Sequence, residues 1–115
     1  MARIAIIHHA FDPIATRPYL IGEIAYNREM NAQWHYSIYE RIAWRERLPR
    51  VASLFRAIAI AEGIHAASHR AQLERLGGSA EWERESVVLG PTADNLARSI
   101  EIEEAESATI YRVYG

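Results

Sequence analysis

No cysteine occurs anywhere in the chain. That single absence removes disulfide staples, zinc ribbons, iron–sulfur ligation and any thiol nucleophile. Charge of one sign is also lacking: 13 Lys and Arg stand against 15 Asp and Glu, interspersed, for a formal charge of −2 and a pI near 6.2. A nucleic-acid footprint and a polybasic membrane anchor are therefore excluded. The N-terminal run in MARIAIIHHAFDP is broken by His8 and His9 and is too short for a signal peptide or a membrane span. Proline is scarce, with 4 residues, and each falls at a break in the apolar patterning. What remains is 50% hydrophobic over 115 residues, enough for one core and one domain, 1–115, expected to be cytoplasmic.

The breaks divide the chain. Residues 1–15 form an uncommitted leader ended by Asp12-Pro13, with His8 and His9 read as packing or surface residues. A first helix is expected from Thr16, as N-cap with Pro18 in the first turn, to about Arg47, because Leu48-Pro49 opposes continuation. Its inward positions read Ile21 or Gly22, Ala25, Glu29, Ala32, Tyr36, Tyr39 and Ala43, whereas Glu23, Glu40 and Glu46 fall off that line and read as solvated charges. A second helix starts at Pro49 or Arg50 and stops at Gly77-Gly78. Its seam is Val51, Phe55, Ile58, Glu62, His65, His69 and Leu73. Residues 77–91 read as a crossover connector, able to cross the bundle or pass to a second subunit. A third helix opens at Thr92 as N-cap and turns Leu96, Ser99, Glu103, Glu106, Ile110 and Val113 inward. A faint repeat pairs Thr16, Glu29 and Tyr36 with Thr92, Glu103 and Tyr111.

Carboxylates and imidazoles have no inexpensive place in apolar seams. Burying an unpaired carboxylate costs several kcal/mol, so such groups are paired, protonated or bound to metal. Glu62 and His65, three residues apart, share one helix face. Glu-x-x-His on an inward-facing helix is half of a di-iron or di-manganese carboxylate site. Counted from the turn near Leu48, Glu29 and Glu62 lie at levels that differ by only about 7 Å at 1.5 Å per residue, so antiparallel helices bring them face to face. The candidate ligands are thus Glu29, Glu62, His65, Glu103 and Glu106, with His69 as packing or an outer donor. Hard oxygens with one or two imidazoles suit iron or manganese. The alternatives are a buried Glu62–His65 pair without metal, a rotated first helix that exposes Glu29, and a solvated acidic face for Glu103 and Glu106.

NREMNAQWHYSIYERIA, with Glu29 and Tyr36, followed 33 residues after that Glu by Glu62-x-x-His65 in RVASLFRAIAIAEGIHA, resembles rubrerythrin-type ferritin-like proteins. GPTADNLARSIEIEEAE is similar to the start of that family's second half, with Glu103, Glu106 and Tyr111 at its ligand and tyrosine positions. The resemblance covers Thr16 to Gly115. It implies an all-α, ferritin-like four-helix bundle, two iron ions, and reduction of hydrogen peroxide in oxidative-stress defence, with Tyr36 and Tyr111 as the tyrosines that assist O–O cleavage. Two departures stand out. The family's Cys-rich rubredoxin module is absent, so electrons would come from an external donor protein such as a rubredoxin. The fourth helix is absent as well, so a homodimer or higher homo-oligomer, or an exchanged third helix, is expected to complete the bundle. The rival expectations are a ferroxidase or iron-storage mini-ferritin, and a non-catalytic helical assembly protein that has lost its metal site.

Overall fold

The structure is a computed structural model that describes residues 20–114, with side chains over residues 21–108. Thr16, Pro18, His8, His9 and the leader 1–15 lie outside the described residues, as do the side chains of Ile110, Tyr111 and Val113. The described residues form three helices and no strand: α1 (Leu20–Arg45), α2 (Pro49–Arg75) and α3 (Thr92–Tyr114).

α1 ends two residues before the expected Arg47. There Arg47 adopts φ 62°, and Leu48 N–H reaches back to the carbonyl of Ala43 at 2.9 Å. This is a left-handed helix cap made by a residue with a Cβ, where glycine is the usual occupant. Pro49 then sits in the first turn of α2, where its missing N–H costs nothing. The far end of α2 uses the same geometry in its ordinary form: Gly77 has φ 82° and Gly78 N–H bonds the Leu73 carbonyl at 2.8 Å.

Between these ends α1 and α2 pack antiparallel. The buried face of α2 is Ala52, Phe55, Ala59, Ala66 and Leu73. That line is rotated from the expected seam, because the alanines let the two backbones approach. One consequence is that the His65 side chain is 57% exposed rather than inward. Two apolar clusters result, Tyr36, Tyr39 and Ala43 with Ala52, Phe55 and Ala59 toward the turn, and Tyr26 with Ala66 and Leu73 toward the other end. The level of Glu29 and Glu62 falls between them.

Residues 76–91 contain no helix or strand and run back along α1, within the chain, to the turn end. Asn31 on α1, 3% exposed, holds them there. Its Nδ2 donates to the Glu83 carbonyl at 3.0 Å, while its Oδ1 accepts from Trp82 Nε1 at 3.0 Å and Glu85 N–H at 2.9 Å. Asn27 Oδ1 accepts from Glu83 N–H at 2.8 Å, and Tyr39 OH donates to the Val88 carbonyl at 3.3 Å. Trp82 meets Trp34 edge to face, and the Arg84 guanidinium lies 4.4 Å from the Trp34 ring centre.

The start of α3 differs from expectation. Thr92 is not the N-cap: its Oγ1 is buried with no hydrogen-bond partner. Its N–H donates instead to the carboxylate of Glu46, at 3.1 and 3.2 Å, so the residue read as a solvated charge caps the helix from across the molecule. Asn95, fully buried, braces the preceding turn through both Gly90 N–H and the Gly90 carbonyl. A carboxylate at this end also suits the positive pole of the helix dipole. α3 then runs back beside α1, antiparallel to it.

Candidate metal centre

Three ligand-type side chains converge where the two apolar clusters part. Glu29 of α1 and Glu62 and His65 of α2 each place one ligand atom within 4.8 Å of the other two. His65 Nδ1 lies 3.5 Å from Glu29 Oε2. That oxygen is buried and has no hydrogen-bond donor. Glu29 crowds the Glu62 carboxyl, and this favours the protonated form of Glu62.

α3 brings the remaining carboxylates. Tyr36 OH donates to Glu103 Oε1 at 2.8 Å, so the residue from the middle of α1 reaches across to α3. Glu106 is half-buried while Glu103, apart from that bond, is exposed. Both act on Glu62 electrostatically. Burial first, then the hydrogen bond and repulsion from Glu29, then Glu103 and Glu106, push the Glu62 carboxyl up from 4.5 to about 8. Glu106 is also raised, by burial and by Glu103, with Arg28 opposing. Burial raises the Tyr36 hydroxyl, and the bond to Glu103 raises it further. Tyr36 therefore keeps its proton at neutral pH.

These observations make a test of whether the residues fit a cation. Four carboxylates crowd one another, the Glu62 carboxyl is pushed toward its protonated form, and one buried oxygen has no donor. Each of those costs is removed by a divalent ion, and the donors, hard oxygens with an imidazole and no thiolate, suit iron or manganese. They fit. Glu29, Glu62 and His65 are drawn together outright. Glu103 and Glu106 stand at the edge of the cluster, and the side chain of Tyr111 lies outside the described residues. His69 is half-buried and stands apart from the group of Glu29, Glu62 and His65.

Beside the cluster, between α2 and α3, lies a groove of ≈ 410 Å³. Leu54, Ile58, Leu96 and Ile100 wall it, and Glu62, Glu103 and Glu104 open into it. Among the residues that shape the site, sequence reasoning missed Glu46, Asn27, Asn31 and Glu104. Only the two asparagines left a signal: amides inside a helix, such as the buried Asn31, need partners from outside it.

The family profile described as Rubrerythrin matches residues 23–115. No curated protein and no solved structure matches the chain. The match begins inside α1 and takes in all three helices, Glu29, Glu62, His65 and the carboxylates of α3. A rubrerythrin-type domain implies a di-iron site, the described residues supply three of the four bundle helices, and Glu29, Glu62 and His65 form a group that could hold a metal ion. The chain belongs to the rubrerythrin family.

Proposed function

We propose that this chain is a cytoplasmic non-haem di-iron protein that reduces hydrogen peroxide, with electrons drawn from an external donor protein. The observation that carries the reading is the convergence of Glu29, Glu62 and His65 within 4.8 Å around a buried carboxylate oxygen that has no donor. When bound, an iron pair supplies the two electrons that cleave the O–O bond; peroxide, two electrons and two protons give two waters.

The chain's own residues handle position and protons. Glu29 and Glu62 face each other from antiparallel helices and present oxygens from both sides. His65 offers the softer nitrogen on the open side. Tyr36 holds its proton at OH, hydrogen-bonded to Glu103 Oε1, and so keeps a proton source 2.8 Å from a candidate ligand. The aromatic cluster of Tyr36, Tyr39 and Phe55 closes the turn side of the centre and keeps water from that direction. These 115 residues contain no cysteine, and the reading assigns the supply of electrons to a donor protein.

The test is anaerobic Fe(II) loading, removal of loose metal and a count of iron per chain, followed by peroxide consumption with a reduced donor. The expected outcome is a fixed stoichiometry of one to two irons per chain, on the order of a bridged pair, and donor oxidised in step with peroxide. Mineral accumulating far beyond that ratio would favour the iron-storage reading. No bound iron would leave a helical assembly protein.

A further inference from the structure

The groove between α2 and α3 is far larger than hydrogen peroxide requires. It encloses ≈ 410 Å³, whereas a water takes about 30 Å³ of the liquid and a peroxide, with one more oxygen, roughly twice that. Its size is that of a small-molecule site, for which about 300–1,000 Å³ is usual. α2 and α3 both run away from the turn, so their residues match by level: Leu54 with Leu96, Ile58 with Ile100, Glu62 with Glu103. One end is therefore polar, and Glu62, Glu103 and Tyr36 belong to the groove and to the metal centre alike. The rest is apolar. Ile58 and Leu96 line it while also packing on the core, and Leu54 and Ile100 line it at 50% and 57% exposure. Leu54 lies eight residues before Glu62, so the apolar stretch is about 12 Å long, room for a chain of about eight carbons.

Charge selects the head group. Glu62, Glu103 and Glu104 open into the polar end, so the carboxylate of a fatty acid is repelled there. An uncharged head that both donates and accepts hydrogen bonds suits these groups, and the walls call for a hydrocarbon tail. A hydroperoxide joins both in one molecule, and its O–O bond is the one the peroxidase reading cleaves.

We propose that the groove between α2 and α3 holds the hydrocarbon chain of an organic hydroperoxide, with its O–O bond at the Glu62 and Glu103 end, so that medium-chain alkyl hydroperoxides are substrates of this site. The inference rests on the peroxidase reading and names a substrate class for it. The O–O bond breaks, two electrons come from the reduced donor protein, two protons are taken up, and the hydroperoxide leaves as an alcohol and water. Each methylene that leaves water for the groove wall tightens binding by up to about fourfold. Hydrogen peroxide gains nothing from those walls.

The experiment has a binding arm and a turnover arm. Isothermal titration of the chelator-treated full chain with 1-butanol, 1-hexanol and 1-octanol, which carry the chain and cannot be reduced, should give an affinity that rises about two- to fourfold per methylene. Leu54→Gln and Ile100→Gln, uncharged changes at exposed wall positions, flatten that series while far-UV circular dichroism stays unchanged. Ile60→Lys, on another side of α2 and 52% exposed, leaves the series intact. With iron loaded and a reduced donor supplied, KM should fall by about tenfold or more from ethyl to octyl hydroperoxide, and Leu54→Gln should raise KM for octyl hydroperoxide more than for hydrogen peroxide. Reduction of hydrogen peroxide with no dependence on chain length in either arm overturns the proposal and leaves the peroxidase reading standing. Reduction of neither peroxide by the iron-loaded chain overturns both. A molar mass that Leu54→Gln halves, with alcohol binding unaltered, would assign the groove to a second copy of the chain and overturn the proposal equally.

Discussion

At the scale of single residues, Glu62 governs how the metal-free protein responds to pH. Its carboxyl is raised from 4.5 in the unfolded chain to about 8 in the folded one. Between those values the native state binds more protons than the unfolded state, so stability falls as pH rises through the window. The raised value of Glu106 acts in the same direction. The expected outcome is a chelator-treated protein whose Tm is higher at pH 5.5 than at pH 8; a flat or rising profile would mean that Glu62 is not crowded by Glu29. Glu62→Gln separates the two roles of the side chain. It keeps the shape and a donor toward Glu29 while removing the charge, so the metal-free Tm at pH 8 should rise. Its affinity for Fe(II) should fall by more than the roughly 10–100-fold typical of losing a group outside the ligand set. Isothermal titration beside a thermal melt checks both, and a loss of Tm with intact iron affinity would contradict the assignment.

At the scale of elements, the packed helices were legible and their fastenings were not. The levels of Glu29 and Glu62 follow from counting back from Leu48, because helical rise is fixed and the turn is short. The phase of α2 is harder. A one-residue change in the packing line turns the helix by about 100°, and a face of alanines contrasts too weakly with its neighbours to announce itself. That is why His65 reads as inward but stands at the edge. The caps and the connector depend on partners far away in sequence. Glu46 serves Thr92 and Asn31 serves Trp82, Glu83 and Glu85, and no local pattern encodes such pairs. Asn31 therefore carries an element-scale prediction. Asn31→Ala removes its bonds to the connector and leaves the Trp82 and Glu85 donors without their acceptor. The cost should be about 2–4 kcal/mol of stability, taking roughly a kcal/mol for each bond lost and more for a donor left unpaired. Hydrogen exchange should speed up through residues 82–85, with little change in Ala59 to Leu73. Unchanged exchange in the connector would show that Trp34 and Arg84 suffice to hold it.

At the scale of the whole molecule, the carboxylate cluster couples stability to metal. Without a cation, the pair α1–α2 is held by two apolar clusters on either side of a level where like charges meet. An ion bound only by the native state adds stability by mass action, about 2.7 kcal/mol at a free concentration a hundredfold above Kd. For a domain of this size that corresponds to roughly 10–20 °C in Tm. The pH dependence sharpens the prediction, because the two forms respond in opposite directions. Raising pH removes the proton that Glu62 holds, which weakens the metal-free fold, yet the same ionisation readies the oxygen as a ligand and strengthens metal binding. The difference in Tm between Fe(II)-loaded and chelator-treated protein, both kept anaerobic, should therefore widen steadily from pH 5.5 to pH 8. A constant gap would mean that metal binds away from Glu62, and no gap at any pH would mean that the cluster binds no metal. Glu62→Gln should collapse the gap, whereas Ile60→Lys, on a side of α2 remote from the cluster, should leave it as it is.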